Sequence, residues 1–317
     1  MIVKMNEAGR QAEPFLFIID FEMQNCIFCR LSEAGNNIYY STGNHNHLPE
    51  NTVFHKKFKF DKHPVDFNTY EQAFEKVCDK IKRGYTYLTN LTFPTKLSTD
   101  LSLEEIFMRS ISAYKILVPG KFVSFSPECF VKIEDCRIFS FPMKGTIDAN
   151  IPDAENKILA DPKETAEHYI IVDLIRNDLS QVATEVIVNR FRFIDKIVTN
   201  DKTLLQVSSS IRGVLPANYL PHLGDIIFSL LPAGSVSGAP KPSTLNIIRE
   251  VEQSNRNYYT GIWGIFDGKD LDSAVIIRYI EQSDTGLIFH SGGGITSQSN
   301  AESEYKELID KVYVPFN

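Results

Sequence analysis

The chain has 317 residues, 43% of them hydrophobic and 23% charged, which is typical of a globular protein with a sizeable core. Its formal net charge of −7 and its lack of Lys/Arg-rich stretches exclude a general nucleic-acid-binding protein. No apolar run has membrane-spanning length, and acidic residues interrupt and flank the apolar segment at 15–21. We therefore expect a cytoplasmic protein without signal peptide or membrane contact.

The five cysteines show no disulfide pattern. Cys26 and Cys29 form one C-x-x-C, but no second pair or histidine follows at zinc-finger distance. We interpret both as small apolar residues of a strand, in a reducing compartment.

The first part of the chain mixes strand and helix patterns. Apolar runs at 15–22 and 26–31 predict a hairpin, and the polar stretch at 33–63 predicts loop and irregular strand. Segments 68–84 and 101–111 have helical periodicity.

Three strands are predicted between residues 121 and 145, followed by a helix with Asp161 as N-cap, Pro162 at N1 and Glu164 at N3. The last helix is predicted to begin near Ser299, with Glu302 at N3. Between these two helices the patterns predict strands at 185–200 and 204–215, helices at 224–231 and 243–253, and strands at 261–268, 271–282 and 286–294. Helices and antiparallel strands are intermixed and no linker divides them, so we predict an α+β fold with a single domain over 1–317.

Four glutamates form two distant pairs, Glu164 with Glu167 and Glu304 with Glu307. The i,i+3 spacing within a helix places both carboxylates of a pair on one face, about 5–6 Å apart at Cβ. Four such carboxylates brought together would repel unless a cation lay between them, and oxygen ligands of this kind suit Mg²⁺. Taken alone, either pair favours solvated surface, with Glu164 in a capping box and Glu307 paired with Lys311.

Lys144 directly follows an apolar strand and precedes Gly145, so we expect it to point from a strand end into a confined space. Burial there would lower its pKa and free the amine as a nucleophile. Glu128, on the preceding hairpin, would be a general acid if its pKa were raised. Without a site around them, the two would be an exposed lysine at a strand end and an exposed turn residue.

Three further features indicate contact with an anionic ligand. Segment 232–241, PAGSVSGAPK, precedes a helix and can offer backbone N–H groups and hydroxyls to an anion, although a plain loop can have the same composition. The three glycines at 292–294 are typical of a strand whose backbone is approached closely. Arg278 lies inside an apolar run and needs a carboxylate partner, either a substrate or another side chain.

Taken together, these motifs resemble the chorismate-utilising enzymes, a family that includes anthranilate, aminodeoxychorismate, isochorismate and salicylate synthases. The matching stretches lie within 84–317, whereas residues 1–80 carry no motif that we can match. In chain order they are GYTYLTNLTFP, SPECF, PMKGT, DPKETAEHYIIVDLIRNDLSQV, PAGSVSGAPK, YYTGIWG, AVIIRY, SGGGI and ESEYKELIDK. The resemblance implies antiparallel β-sheets packed as a sandwich with helices outside.

The resemblance also implies a set of ligand-binding residues. Glu164, Glu167, Glu304 and Glu307 would hold Mg²⁺ against a carboxylate of chorismate, with Glu167 and Glu307 as the closer ligands. The positions that match substrate-binding residues of the family are Gly145, Thr146, Tyr259, Arg278, Gly292, Gly293, Gly294 and Lys311. Among these, Tyr259, Arg278 and the three glycines would bind the enolpyruvyl carboxylate.

Lys144 indicates the branch of the family, because aminodeoxychorismate synthases resemble the chain in carrying lysine in PMKGT, whereas anthranilate synthases carry alanine. The implied reaction is amination of chorismate at C4 through a covalent intermediate on Lys144, with Glu128 and Ser235 as further catalytic residues. Isochorismate and salicylate synthases have a water-activating lysine where this chain has Leu88. The resemblance thus implies component I of an aminodeoxychorismate synthase, for p-aminobenzoate and folate, supplied with ammonia by a separate class I glutamine amidotransferase subunit.

Two alternatives stay open. An anthranilate synthase component I would share most of these motifs. A non-catalytic chorismate-binding relic is suggested by Leu88 and by Gln206, which stands where the family often has a histidine and cannot carry a proton.

Overall fold

The computed structural model of the protein describes residues 1–35, 37–50, 58–198 and 203–316. The described helices are α1 (Ile2–Arg10), α2 (Phe67–Lys82), α3 (Leu103–Arg109), α4 (Ala154–Ala160), α5 (Pro162–Leu179), α6 (Leu223–Ser229), α7 (Lys241–Val251) and α8 (Ala301–Asp310). The described strands are β1 (Phe15–Ile19), β2 (Ile27–Arg30), β3 (Tyr39–Ser41), β4 (Asn46–His47), β5 (Phe60–His63), β6 (Leu88–Thr99), β7 (Tyr114–Val118), β8 (Phe122–Ser126), β9 (Cys129–Glu134), β10 (Arg137–Ser140), β11 (Met143–Asp148), β12 (Thr184–Val198), β13 (Thr203–Val214), β14 (Gly238–Ala239), β15 (Ile262–Phe266), β16 (Leu271–Val275), β17 (Tyr279–Ser283) and β18 (Gly286–Ile295).

Within the described residues the strands form two antiparallel sheets. The first sheet has the order β11-β13-β10-β9-β16-β15-β1-β2, with β12 also paired to β13. The second sheet has the order β14-β6-β18-β17-β8-β7-β3-β4, with β5 also paired to β6. The chain passes repeatedly from one sheet to the other, so neither sheet comes from one continuous segment.

The two sheets pack face to face and bury a common core. Ile18 and Trp263 of the first sheet share a buried cluster with Ile116 and Tyr279 of the second. Strand β1 is buried on both faces, because Leu16 and Ile18 face the second sheet while Phe15, Phe17 and Ile19 belong to the cluster on the other side. This double burial explains why the sequence shows an unbroken apolar run there.

Helices cover the outer face of each sheet. Helices α1, α5 and α6 pack on the first sheet through side chains such as Met5, Ile171 and Ile227. Helices α2, α3, α7 and α8 cover the second sheet through two clusters that include Tyr70 and Phe107. The predicted α+β sandwich with outer helices is therefore confirmed. None of the described helices has both the length and the apolar composition needed to cross a lipid bilayer.

Most predicted elements are confirmed, with shifted ends. Strands β1 and β2 form the predicted hairpin, and α2, α3 and α5 lie where the periodicity placed them. Asp161 caps α5 by accepting a hydrogen bond from the Glu164 N–H. The C-x-x-C cysteines are free and Cys29 lies in β2, as interpreted. In the polar stretch 33–63 the structure has three short strands, and residues 36 and 51–57 lie outside the described part.

Three predictions are wrong in detail. The run 137–145 is not one strand, because β10 ends at Ser140 and β11 begins at Met143. The segment 271–282 is not one strand, because β16 belongs to the first sheet and β17 to the second, and residues 276–278 connect them. Arg278 lies at this crossing with a φ of +50°, in the left-handed region that non-glycine residues seldom adopt. Helix α8 is capped by Asn300 rather than Ser299, which places Glu302 at N2 instead of N3.

Helix α1 was not predicted, and it has a role in capping another helix. The N-cap position of α6 is His222, whose side chain makes no capping hydrogen bond. Asn6 of α1 replaces that cap, because its Oδ1 accepts a hydrogen bond from the Gly224 N–H at 2.7 Å. Its Nδ2 also donates to Asp225 Oδ2 at 2.7 Å. The N-terminal helix is thus attached to the sandwich by polar as well as apolar contacts.

Replacing Asn6 with Ala should lower the free energy of unfolding by about 1 kcal/mol, because the first turn of α6 loses its side-chain acceptor. Urea denaturation of Asn6→Ala and the wild type measures this difference. The matched control is Lys4→Ala on the exposed face of α1, which should change stability by less than about 0.5 kcal/mol. Equal stability of Asn6→Ala and Lys4→Ala would contradict the capping role.

Candidate active site

The candidate site lies between α5 and α8, where the glycines of β18 leave room. A Cβ atom at Gly293 would lie 3.5 Å from Glu304 Oε2 and 3.9 Å from Glu307 Oε1. A Cβ atom at Gly294 would lie 3.5 Å from Lys144 Nζ and 3.7 Å from Glu167 Oε2. The glycines therefore mark the side of the site at which the second sheet meets charged groups from α5, α8 and β11.

Glu164 and Glu167 come from α5, one turn apart, and they face β11. Gly145, with a φ of +80°, allows this approach, because a Cβ there would lie 3.3 Å from Glu164 Oε2 and 3.3 Å from Ile158. Glu304 and Glu307 come from α8. All four glutamates thus reach one region; their spacing placed each pair on one helix face, and the family resemblance implied that the two pairs meet.

Three lysines neutralise these carboxylates. Lys144 donates a short hydrogen bond to Glu167 Oε2. Lys163 donates to Glu304 Oε1 at 2.6 Å, and Lys311 is paired with Glu307 at 2.7 Å. Lys311 also donates to the Gly292 carbonyl at 2.8 Å, so α8 and β18 are tied together beside the site.

The pKa of Lys144 differs from our prediction. Burial alone would lower this pKa, but the Glu167 carboxylate in direct contact, with Glu164 and Glu307 nearby, outweighs burial and raises it. Lys144 is therefore held as an ammonium by Glu167 in this structure. The sequence could not reveal the opposing effect, since Glu167 is 23 residues away on another element.

Glu164 on α5 and Glu307 on α8 have pKa values that are shifted in opposite directions. The pKa of Glu164 is raised, first by burial and then by the carboxylates of Glu167 and Glu307, despite the opposing charge of Lys144. Burial would also raise the pKa of Glu307, but the Lys311 ammonium overrides it and lowers that pKa. Glu307 thus forms the ion pair with Lys311 that the sequence allowed, and this pair lies inside the site.

Glu128 and Ser235 meet at the edge of the same region. The Ser235 hydroxyl donates to Glu128 Oε1 at 2.5 Å, which joins the PAGSVSGAPK loop to the start of β9. Burial raises the pKa of Glu128, although Ser235 and the charges of Lys144, Lys311 and Arg278 oppose the shift. A carboxyl with a raised pKa is the property that a general acid near neutral pH requires.

Arg278 and Tyr259 provide an anion-binding side. The Arg278 guanidinium lies 5.1 Å above the Tyr313 ring, and no described carboxylate forms an ion pair with it. Tyr259 is buried between the rings of Tyr279 and His290, and burial raises its pKa to about 12, so its hydroxyl keeps its proton. An arginine without a carboxylate partner beside a buried phenol is suited to bind a ligand carboxylate.

The remaining predicted positions lie around this centre. Thr146 is exposed on β11 and pairs with Gln206 of β13, whose Nε2 lies 3.5 Å from the threonine hydroxyl. Leu88 is buried, and its Cδ1 would lie 3.0 Å from a Cβ at Gly294. The position of the water-activating lysine in other family members is therefore apolar and faces the site.

The donor chemistry of the site fits a hard divalent cation, since four carboxylates converge from two helices. In the arrangement described, however, ammonium groups lie among them, and no three acidic, histidine or cysteine residues of the described part surround a common point. The ligand atoms are thus present, but a metal ion would have to take the place of a lysine.

Three supporting residues escaped the sequence analysis. Lys163 bridges α5 and α8, and its i,i+4 spacing to Glu167 was a usable signal.

Arg256 is buried and donates to both Glu252 oxygens, to the Val236 carbonyl and to the Asn90 carbonyl. Because it contacts both the loop that carries Ser235 and strand β6, Arg256 holds these parts of the site in register. The i,i+4 spacing of Arg256 from Glu252 was the sequence signal for this ion pair.

His168 is the third such residue. It follows Glu167 on α5, and its Nε2 lies 2.7 Å from the Ser209 hydroxyl of β13. Ser209 also accepts a hydrogen bond from the Arg192 N–H of β12. His168 is 1% exposed and thereby anchors the glutamate helix to the first sheet.

Comparison with known proteins agrees with this site. The chorismate binding enzyme family matches residues 16–316, so the chain belongs to that family and is a chorismate-utilising enzyme. Its match extends into the first 80 residues, in which we had found no motif.

Individual relatives support the same assignment. The chain is 50% identical to the "Uncharacterized PabA-like protein" of Haemophilus influenzae, over 99% of this chain and 96% of that protein. It is 33% identical to aminodeoxychorismate synthase component 1 of Salmonella typhimurium, over 77% of this chain but only 56% of that longer protein. The menaquinone-specific isochorismate synthase of Escherichia coli has the same fold, with a TM-score of 0.74 at 15% identity over 97% of this chain and 79% of that one.

The stability of the protein should fall in mild acid because of His168. Burial, with Arg192 and Lys144 nearby, lowers the pKa of His168 to about 4, whereas an unfolded histidine titrates near 6.5. Between these values the unfolded chain takes up a proton that the folded protein refuses, so the free energy of unfolding decreases as the pH falls. The loss should approach about 3 kcal/mol near pH 4 and should be absent above pH 6.5.

His168→Gln keeps a neutral hydrogen-bonding group and removes this titration. Urea denaturation at pH 7 and pH 4.5 should show wild type and variant converging, or crossing, at the lower pH. The control Asn177→Gln alters an exposed residue of the same helix that has no titrating group, so it should follow the pH dependence of the wild type. A constant gap between wild type and His168→Gln at both pH values would contradict the assignment.

Proposed function

We propose that the protein is an aminodeoxychorismate synthase component I, which converts chorismate and ammonia to 4-amino-4-deoxychorismate. The observation that carries the proposal is the position of Lys144, whose amine lies inside the carboxylate site, close to Gly294 and Glu167. A lysine at this position is the feature of the aminodeoxychorismate synthases.

The chain offers groups for both ends of the substrate. Arg278, Tyr259 and the backbone of the glycine strand β18 would bind the enolpyruvyl carboxylate. The opposite end, formed by Glu164, Glu167, Glu304 and Glu307, would hold Mg²⁺, which supplies positive charge for the ring carboxylate. Chorismate would thereby be fixed at two points with its ring beside Lys144.

The proposed reaction has two displacements. Once Lys144 has left Glu167 and lost its ammonium proton to solvent, its neutral amine forms a bond to C2. Both ring double bonds shift, and the C4 hydroxyl leaves as water with a proton from Glu128. Ammonia then forms a bond to C4, both double bonds shift back, and the C2–N bond breaks to release the neutral Lys144 amine. The new C4 ammonium returns a proton to the Glu128 carboxylate, which restores the starting state.

Two features of the site support this sequence. The raised pKa of Glu128 provides the proton, and Ser235 orients the carboxyl through its hydrogen bond. Leu88 presents no base that could activate water, which disfavours hydroxylation at C2. Since the sequence has no glutaminase cysteine motif, we propose that ammonia comes from a separate class I glutamine amidotransferase subunit in the cytoplasm, for p-aminobenzoate and folate synthesis.

Lys144→Ala should abolish formation of 4-amino-4-deoxychorismate, or divert the enzyme toward slow amination at C2 and thus anthranilate. Product analysis by chromatography after incubation with chorismate, ammonium and Mg²⁺ distinguishes these outcomes. Lys157→Ala, which removes an exposed lysine of α4, is the matched control and should retain activity. Unchanged amination at C4 by Lys144→Ala would refute the covalent mechanism. Anthranilate as the product of the wild type would favour the anthranilate synthase alternative, and bound chorismate without product would favour a relic.

Arg278→Leu should raise the KM for chorismate by about 30-fold or more, because losing one partner of a charge-assisted carboxylate contact costs at least about 2 kcal/mol. Steady-state kinetics with varied chorismate measures the effect. Arg83→Leu, at an arginine whose side chain is 65% exposed, is the control and should leave KM unchanged. A normal KM in Arg278→Leu would exclude Arg278 as the carboxylate-binding residue.

A further inference from the structure

Lys163 makes the direct link between the two glutamate helices. Its ammonium lies 2.6 Å from Glu304 Oε1 and 3.9 Å from Glu167 Oε1. The side chain of Glu304 is 2% exposed and that of Glu167 is 5% exposed, so both carboxylates are withdrawn from water. Lys163 supplies positive charge that a buried like-charged pair requires.

Lys163 differs from the two other lysines of the site. Lys144 comes from β11 and belongs to the proposed reaction centre, and Lys311 is held by the Gly292 carbonyl as well as by Glu307. Lys163 lies in the first turn of α5, and its side chain is 33% exposed. Of the three lysines it is the one that lies outside the proposed reaction centre and donates no hydrogen bond to the second sheet.

The Lys163 ammonium already occupies Glu304 Oε1, so a divalent cation that binds this oxygen competes with it. With the lysines in place, no three possible ligands of the described residues surround a common point. Two positive groups within one small, partly desolvated site would also repel each other strongly. A metal ion that takes Glu304 Oε1, directly or through a bound water molecule, must therefore displace Lys163 from that oxygen.

We propose that Lys163 is a built-in counter-ion that exchanges with the divalent cation, and that it thereby sets the cation affinity of the site. The proposal rests on the proposed metal-binding role of the four glutamates. In the cation-free protein Lys163 holds α5 and α8 together, and on cation binding its ammonium moves to solvent. Lys163 is a positioning residue for the glutamates and takes no part in bond making.

Lys163→Met should have opposite effects on the two forms of the protein. Without metal, the buried carboxylates lose a partner, so the melting temperature in EDTA should fall by several degrees. Affinity for the cation should rise by about tenfold, equivalent to about 1.4 kcal/mol, because no ammonium has to be displaced. Mn²⁺ alone, without chorismate, is the probe, titrated by calorimetry and by electron paramagnetic resonance.

Three variants complete the test. Lys163→Arg keeps a cation at the position and should bind Mn²⁺ like the wild type. Lys157→Met removes an exposed charge of α4 that contacts no site carboxylate and controls for net charge. Glu304→Gln should weaken Mn²⁺ binding in both the wild-type and the Lys163→Met background.

The outcomes separate this proposal from the function on which it rests. If Mn²⁺ binds in a Glu304-dependent way and Lys163→Met binds it no more tightly than the wild type, the counter-ion role is overturned and the metal site stands. If neither protein binds Mn²⁺, the metal site is refuted and the counter-ion role with it. The expected result is tighter binding by Lys163→Met alone, together with a larger rise in its melting temperature on adding Mn²⁺.

Discussion

Glu167 and Glu304 are buried carboxylates on different helices that face the same small space, and two buried like charges are tolerated only with positive charge between them. Lys163 and Lys144 supply that charge in the structure described. The requirement explains much of the surrounding architecture. Helix α5 lies on the first sheet and α8 on the second, so the packing of the two sheets brings the carboxylates together. The glycines of β18 then leave the space in which they meet.

Substrate binding and the choice of reaction fall to different groups of the site. In the proposed function the carboxylate cluster holds the counter-cation of an anionic substrate but does not select the reaction. We propose that Lys144 and Glu128 make that selection, and the pKa values of both are raised, for different reasons. Contact with Glu167 raises the pKa of Lys144, whereas burial raises that of Glu128. A reacting lysine must first leave its carboxylate partner.

Local patterns predicted the fold class and most elements, because strand alternation, helical periodicity and caps depend on near neighbours in sequence. The cap at Asp161 and the hairpin of β1 and β2 are examples. The break near Arg278 was missed because β16 and β17 form one continuous apolar run in the sequence, although the two strands belong to different sheets. The glutamate pairs could be recognised by spacing, but the contacts of Lys163 and Arg256 across the fold could not. The sign of the Lys144 pKa shift likewise depends on a tertiary contact that no local pattern contains.

The interleaving of the two sheets has a consequence for how the protein is made. Lys163 and its partner Glu304 are 141 residues apart, and strands of both sheets lie between them in the chain. A ribosome-bound chain that has emerged only as far as α5 lacks Glu304 and Glu307, so Glu164 and Glu167 have no facing carboxylates. Such dominance of non-local pairing slows folding, because long loops must close before distant contacts form. A ligand that bridges α5 and α8 can stabilise only the finished fold, so ligand binding distinguishes completed molecules from unfinished ones.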